Sequence, residues 1–406
     1  MLSGLPQELK LHIVSFLTRE ITIDPHRRLP GNLPHRDLVP DLPSINALSR
    51  TNTVFYHSTN QSLYRLCAAV EPLGRLALLF AVEHSLESTL DKLVAAGLSL
   101  DADFLLWDKP QWRSLLHIAA ARGCLAMVVK LLGMYGEDMA ARVHTRGRYL
   151  IKTALDCAAA NGHLDIVKLL APIPVPSPDA RSIPPPVSDR LETQEEYLST
   201  ALMHAASHAN LEICRCLVAE GANANFSGLG VGAPLRFAIG SRNLALVQFM
   251  LTSGAEPNPR SFFPPLFKAA SFSCMDIVEE LLAAGASVLA LDDQSSNVIA
   301  YAATLDILRL FLERGVDPNL RDIYHNTPLH HACYKDYSST TKAWVEALVQ
   351  FGASVEATDD AGVTPVDIAM CEDLPDVVKI LEPHVRDPGL KLKIATWWKE
   401  REEKDD

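Results

Sequence analysis

The chain has 406 residues, 48% of them hydrophobic and 21% charged, which suits two or three compact domains or one long solenoid. Its net charge of −12 argues against a face built for nucleic acid or an anionic membrane, so neither is an expected partner. No run of about 18 apolar residues exists to form a transmembrane helix.

Glu8, Lys10 and His12 interrupt the first apolar stretch, and no basic leader precedes it, which is wrong for a signal peptide. The eight cysteines (67, 124, 157, 214, 216, 274, 333, 371) are scattered without a C-x-x-C pair. They read as reduced core thiols of a cytoplasmic or nuclear protein, with metal ligation by Cys214 and Cys216 the minor alternative.

Residues 5–17 place Pro6 in a first helical turn and Leu9, Ile13, Phe16 and Leu17 on one apolar stripe. Pro25, Pro30, Pro34 and Pro40 make residues 21–40 a loop. Helical spacing resumes at Asp41-Leu42-Pro43 with Ile45, Leu48, Val54, Phe55, Leu63, Tyr64 and Leu66 apolar. Three such short helices bury too little surface alone, so they must dock on the next domain or on another protein.

Leu5, Pro6, Glu8, Leu9, Ile13, Phe16, Leu17, Asp41, Leu42, Arg50, Phe55, Leu63 and Tyr64 resemble the pattern of an F-box over residues 3–66. The loop after the first helix departs from that pattern. The resemblance implies that Leu5, Pro6, Leu9, Ile13, Phe16, Leu17, Leu42 and Leu48 bind a Skp-type adaptor, joining a cullin–RING ubiquitin ligase. The alternative is an N-terminal helical cap on the domain that begins near residue 70.

From residue 70 a repeat takes over. Asn326-Thr327-Pro328-Leu329-His330-His331-Ala332 is its clearest helix start, with Thr327 as cap and Pro328 in the first turn. Aligned on alanines 81, 119, 158, 205, 238, 269, 302, 332 and 369, successive copies lie 38, 39, 47, 33, 31, 33, 30 and 37 residues apart. A second apolar helix follows in each copy, as in Leu164–Leu170 and Met275–Leu282. Gly97, Gly221, Gly254, Gly285, Gly315 and Gly352 then mark helix ends, where only glycine turns left-handed cheaply. This pattern resembles an ankyrin repeat array of about nine copies over residues 70–387, degenerate around 81 and 302. The resemblance implies two antiparallel helices and a β-hairpin finger per copy, stacked on one another because no copy can bury its apolar face alone.

The longest spacing holds a Pro-rich insertion over 172–197, with seven prolines between 172 and 186. It reads as a flexible loop, either a tolerated insertion or a partner segment carrying Ser177-Pro178. Beyond Pro388-Gly389, the residues Leu390, Ile394, Trp397 and Trp398 form an amphipathic stripe, so 388–406 reads as a capping helix and charged tail or as a partner-binding helix.

No phosphate loop, nucleophile elbow or H-E-x-x-H helix is present, and Gly228–Gly232 lacks the strand and acidic follower of a dinucleotide site. Adjacent helical residues point about 100° apart, so His330-His331 cannot grip one ion from one face. The resemblance makes His330 and His117 structural links between copies, replaced by Asp156, Arg236, Phe267 and Asp367 elsewhere. No catalysis, cofactor or metal is expected. Binding remains. The resemblance places target contacts on finger tips and the inner helix face, where Trp107, Trp112, Phe226, Arg260, Phe262, Phe263, Tyr324 and His325 are the candidates. The expected fold is all-α, a three-helix domain followed by a solenoid, and the expected function is a ligase substrate receptor or, alternatively, a scaffold or inhibitor.

Overall fold

Several copies start where a side chain takes over an orphan amide of the first helical turn. Thr153 Oγ1 accepts from Asp156 N at 3.2 Å, and Asp156 Oδ2 accepts in return from Thr153 N at 2.7 Å. Thr364 and Asp367 repeat this capping box near the other end of the array, both backbone bonds at 3.1 Å. Thr193, Asn243 and Thr304 cap further helices by the same device. The computed structural model describes residues 18–22, 36–40, 71–101, 103–105, 112–145, 152–175, 193–227, 232–259, 263–334 and 339–405.

Contacts divide the chain into two units, residues 1–223 and 224–406. In the first, helices Glu71–Glu83, Leu115–Arg122, Ala154–Ala160 and Gln194–Ser207 stack in order as one row. Their partners Glu87–Ala95, Leu125–Tyr135, Leu164–Leu170 and Leu211–Ala219 form the second row. Between the rows Leu90, Leu116, Met127, Leu131, Ile166, Leu170, Leu202 and Leu217 are buried. Each such side chain contributes about 1.5–3 kcal/mol by leaving water. No single helix pair could keep that surface covered.

Two features correct the expectation for this unit. Residues 21–40 are not loop throughout: Thr18–Thr22 (β1) pairs antiparallel with Arg36–Pro40 (β2), Thr18 opposite Pro40 and Thr22 opposite Arg36. Ladder pairing between distant residues leaves no helical period to read, and Pro40 is tolerated because it stands at a strand end. After Tyr135, where the resemblance implied a finger, the chain makes a turn at Gly136–Asp138 and a short helix, Met139–Val143. Buried His144 holds that helix, its ring nitrogens 2.6 Å from Ala140 O and 3.1 Å from Ile173 O. A hairpin finger does form at Asp103–Leu105 (β3) and Trp112–Ser114 (β4), with Leu105 opposite Trp112.

In the second unit the first row is Pro234–Gly240, Pro265–Ser271, Val298–Tyr301, Pro328–Tyr334 and Pro365–Cys371. The second row is Leu244–Thr252, Met275–Ala283, Leu305–Glu313, Ser339–Gln350 and Pro375–Leu381. Val298–Tyr301 is only a 3₁₀ turn, because Thr304 already caps the next helix and leaves no room for a second turn. The nine copies read from the sequence are thus nine helix pairs among the described residues, four in one unit and five in the other. The closing glycines Gly97, Gly221, Gly254, Gly285, Gly315 and Gly352 all have φ between +82° and +101°. Helix Pro388–Asp405 lies on the last copy, with Leu390 and Ile394 buried, Trp397 Nε1 donating to Met370 O at 3.1 Å and Lys393 Nζ 3.0 Å from Asp367 Oδ1.

Candidate functional site

The histidines are the groups that decide between chemistry and structure. His330 is buried at N3 of its helix, and its Nδ1 accepts from Thr327 N at 3.1 Å and lies 2.8 Å from Thr327 Oγ1. An accepting Nδ1 puts the proton on Nε2, which donates to Val363 O of the next copy at 3.2 Å. Burial, opposed by the bond to Val363, holds its pKa below the ordinary histidine value. His117 repeats the arrangement, 2.8 Å from Ser114 Oγ and 3.1 Å from Lys152 O. Both rings are spent on holding copies together. His331 points away and pairs with Asp322 at 2.8 Å.

The first-row face of the second unit carries interleaved aromatic and basic groups. Lys268 Nζ lies 6.0 Å from the Phe237 ring and 5.7 Å from the Phe272 ring, and it donates to Arg236 O at 2.8 Å. Burial, and then the Arg236 charge, lower the Lys268 pKa. Arg242 stands 5.1 Å over Phe272 and Arg236 5.8 Å over Phe263. Phe263 is half-buried, edge-on to Phe267 and to Tyr301 at 6.1 and 5.1 Å. Tyr301 in turn donates to Asp292 Oδ2 at 2.5 Å, and burial with that bond raises its pKa.

The fingers of this unit are built by three aspartates. Asp292 Oδ1 accepts from Gln294 N and Ser296 N, Asp322 Oδ1 from Tyr324 N and Asn326 N, and Asp359 Oδ1 from Ala361 N and Val363 N. Each carboxylate closes a turn whose next corner, Ser295, His325 or Gly362, has positive φ. Neighbouring fingers are tied by Ile323 N to Gln294 O at 3.0 Å and Asp360 N to Tyr324 O at 3.3 Å. Asparagines reach across as well. Asn225 donates to Gly254 O and accepts from Glu256 N, Asn258 does so with Gly285 O and Ser287 N, and Asn319 with Gly352 O and Ser354 N, all between 2.7 and 2.9 Å.

Among the residues singled out from sequence, Tyr324 and His325 stand exposed at a finger tip, with His325 Nδ1 2.8 Å from Asp360 Oδ1. Phe226 and Phe263 are half-buried, and Phe263 serves packing between copies. Trp112 lies in β4; Trp107, Arg260 and Phe262 fall outside the described residues. So do Leu5, Pro6, Leu9, Ile13, Phe16, Leu17, Leu42 and Leu48, and so does most of the Pro-rich insertion. Sequence reading missed Phe237, Lys268 and Phe272 on the helix face, and Leu289, Leu291 and Ile323 on the fingers. The signal at Leu289 was its place four residues after Gly285, where Asn258 and Asn319 stand after their own glycines.

Metal chemistry at the cysteines finds no support in their surroundings. Burial pushes the Cys214 thiol up to about 12 and raises Cys216, so neither is poised as a thiolate. Among the described residues no three His, Cys, Asp or Glu side chains cluster as metal ligands, and no helix is long and apolar enough to cross a membrane.

Comparison with known proteins accords with this geometry. Models of ankyrin repeats match residues 187–261 and 296–391 in one case and 116–171 in the other, together more than half of the chain. A putative ankyrin repeat protein of Rickettsia felis is 37% identical over 62 residues, which is 15% of this chain and 27% of its own. Alpha-latrocrustotoxin-Lt1a of Latrodectus tredecimguttatus is 25% identical over 55% of this chain and 14% of its own. The E3 ubiquitin-protein ligase KEG of Arabidopsis thaliana is 31% identical over 23% of this chain and 6% of its own. The chain therefore spans about a quarter or less of these relatives. Among solved structures, the human ASB11 ankyrin repeat domain matches over 59% of this chain and 98% of its own, at 20% identity and a TM-score of 0.45.

Proposed function

Since the chain belongs to the ankyrin repeat proteins, we propose that it works by holding another protein and carries no chemistry of its own. The observation behind this is the way polar chemistry is used. His117, His330, Asp156 and Asp367 are all committed to caps and links between copies, while aromatic and apolar side chains stand outward.

We further propose that it is the substrate-recognition subunit of a Skp–cullin–F-box ubiquitin ligase. Residues 5–66 would bind the adaptor through Leu9, Ile13 and Phe16, and the array over 70–387 would bind the target, with helix 388–406 covering its end. What supports this is the run of F-box-like residues from Leu5 to Tyr64, lying outside the repeat. Proximity would then supply the catalysis, with ubiquitin transfer done by other subunits. The second reading is an ankyrin scaffold or inhibitor whose N-terminal segment only caps the array; it is favoured by the contact of β2 with helix Glu71–Glu83. The names of the relatives do not choose between the two, since both a toxin and a ligase are similar to parts of this chain.

Co-purification with a Skp-type adaptor separates them. The intact chain should capture the adaptor and a Leu9→Asp/Ile13→Asp variant should not, with circular dichroism unchanged. An intact, folded chain that captures no adaptor overturns the receptor reading.

A further inference from the structure

One finger of the second unit breaks the asparagine rule with no substitute, whereas four residues after Gly352 the chain has Glu356, which still accepts from Arg386 N and Asp387 N. Asn225, Asn258 and Asn319 each stand four residues after a closing glycine and clamp the next copy through two hydrogen bonds. Four residues after Gly285 the chain has Leu289, which can neither donate to Gly315 O nor accept from Asp317 N. Its side chain is 74% exposed. The folded chain thus gives up two hydrogen bonds and leaves an isobutyl group in water, a combination that favours stability in neither respect.

Leu289 is not isolated. Exposure alternates along the finger, so that Ser287, Leu289 and Leu291 are exposed while Val288 and Ala290 are partly covered. Leu291 is 47% exposed, and on the adjoining finger Ile323 is 48% and Tyr324 60% exposed. The bond from Ile323 N to Gln294 O ties the two fingers side by side. Single exposed apolar residues are ordinary, but four large ones on two linked fingers mark a binding surface. The surroundings are acidic: fingers 286–297, 316–327 and 353–364 hold seven carboxylates against the one guanidinium of Arg321. Asp293, Asp317 and Asp360 are exposed.

We propose that this face binds a basic amphipathic peptide segment of a partner protein. Its apolar side chains would cover Leu289, Leu291, Ile323 and Tyr324, and its lysines or arginines would meet Asp293, Asp317 and Asp360. Charge complementarity selects the occupant, since an acidic or uncharged segment would gain nothing from the rim. This rests on the reading of the chain as a protein-binding array and adds the chemistry of what it binds.

The test is fluorescence anisotropy on the full chain with three labelled model peptides: a lysine–leucine amphipathic helix former, its glutamate-for-lysine counterpart and its serine-for-leucine counterpart. The first should bind about tenfold or more tightly than either of the others, a difference of about 1.4 kcal/mol. Leu289→Asn changes no charge and installs the missing clamp. It should raise the thermal midpoint by about 2–4 °C while weakening the first peptide about tenfold. Tyr324→Ser should weaken it with the midpoint unmoved, and amide exchange should slow in 286–297 and 316–327 when the peptide binds. Equal binding of the three peptides, or a Leu289→Asn variant that binds undiminished, overturns the proposal. Peptide protection confined to 234–272 would also overturn it while leaving the protein-binding reading intact; failure to capture an adaptor touches only the receptor reading.

Discussion

Replacing His330 tests the claim that its ring is a structural link. In His330→Leu a side chain of similar size fills the buried site, but Thr327 N–H loses its partner and Val363 C=O loses one of two, keeping Asp359 N–H at 3.0 Å. The orphaned buried N–H costs about 1–3 kcal/mol and the lost bond to Val363 about 1 kcal/mol, so the variant should lose about 3 kcal/mol. His330→Asp should lose only about 1 kcal/mol, the value of one hydrogen bond, because a carboxylate at this place can form the capping box already present at Thr153–Asp156 and Thr364–Asp367. Only the link to Val363 then goes missing. The measurement is urea unfolding followed by circular dichroism, with amide exchange across 328–334 to report the local loss. The sign with pH follows from the depressed pKa of the buried ring. The unfolded chain accepts a proton near pH 6.5 and the folded ring resists it, so stability falls as pH drops from about 6.5 toward the folded value. That part of the loss should be absent in His330→Asp, while His204, also depressed by burial, keeps its own share. An aspartate variant as damaged as the leucine variant, or a leucine variant within about 1 kcal/mol of the parent, refutes the reasoning.

Tyr197 and the C-terminal helix give two further expectations. Tyr197 is fully buried and its hydroxyl has no hydrogen-bond partner among the described residues, so Tyr197→Phe should raise stability by about 1 kcal/mol, read as a higher thermal midpoint; a lower midpoint would mean that the hydroxyl is bonded. Ile394 is buried against the last copy, and Ile394→Ala should cost about 2–4 kcal/mol in urea unfolding and speed amide exchange in 365–381. Unchanged exchange there would mean that the helix covers nothing.

Legibility in the sequence followed the range of the interactions involved. Thr327-Pro328-Leu329-His330 could be read because cap, first turn and apolar spacing all lie within four residues, and Gly254 or Gly352 because a left-handed φ is a property of one residue. The β1–β2 ladder was hidden because its partners are 14 to 22 residues apart and carry no period of their own. The helix at Met139–Val143 was hidden because His144 secures it to Ile173, 29 residues away. For the proposed binding surface, the repeat resemblance already placed Tyr324 and His325 on a finger, where both are exposed. Leu289 and Leu291 look like core residues in a string of letters, and only the paired position of Asn258 and Asn319 shows that they face water.

The residue at N3 of each first helix sets how firmly a copy is joined to the next. Where it is histidine, the joint is directional: the ring must meet a carbonyl at hydrogen-bond distance, as His117 meets Lys152 and His330 meets Val363. Phe267 carries no polar group for such a bond. Arg236 lies over Phe263, and Phe267 packs on Tyr301 with centroids 5.2 Å apart. Stacked rings tolerate sliding that a hydrogen bond does not, because their energy varies slowly over tenths of an ångström. Leu289 removes a second directional link just beyond, between the copies that begin at Pro265 and Val298 and their successors. The stretch from Arg236 to Leu289 therefore combines packing at N3 with the hydrogen bonds of Lys268 to Arg236 O and of Asn258 to Gly285 O and Ser287 N. It is also the stretch that leaves Phe237, Lys268 and Phe272 half-buried and Leu289 exposed. Packed rather than bonded residues at N3, with the clamp missing at Leu289 in the same copies, are what a surface needs if it is to conform to a partner.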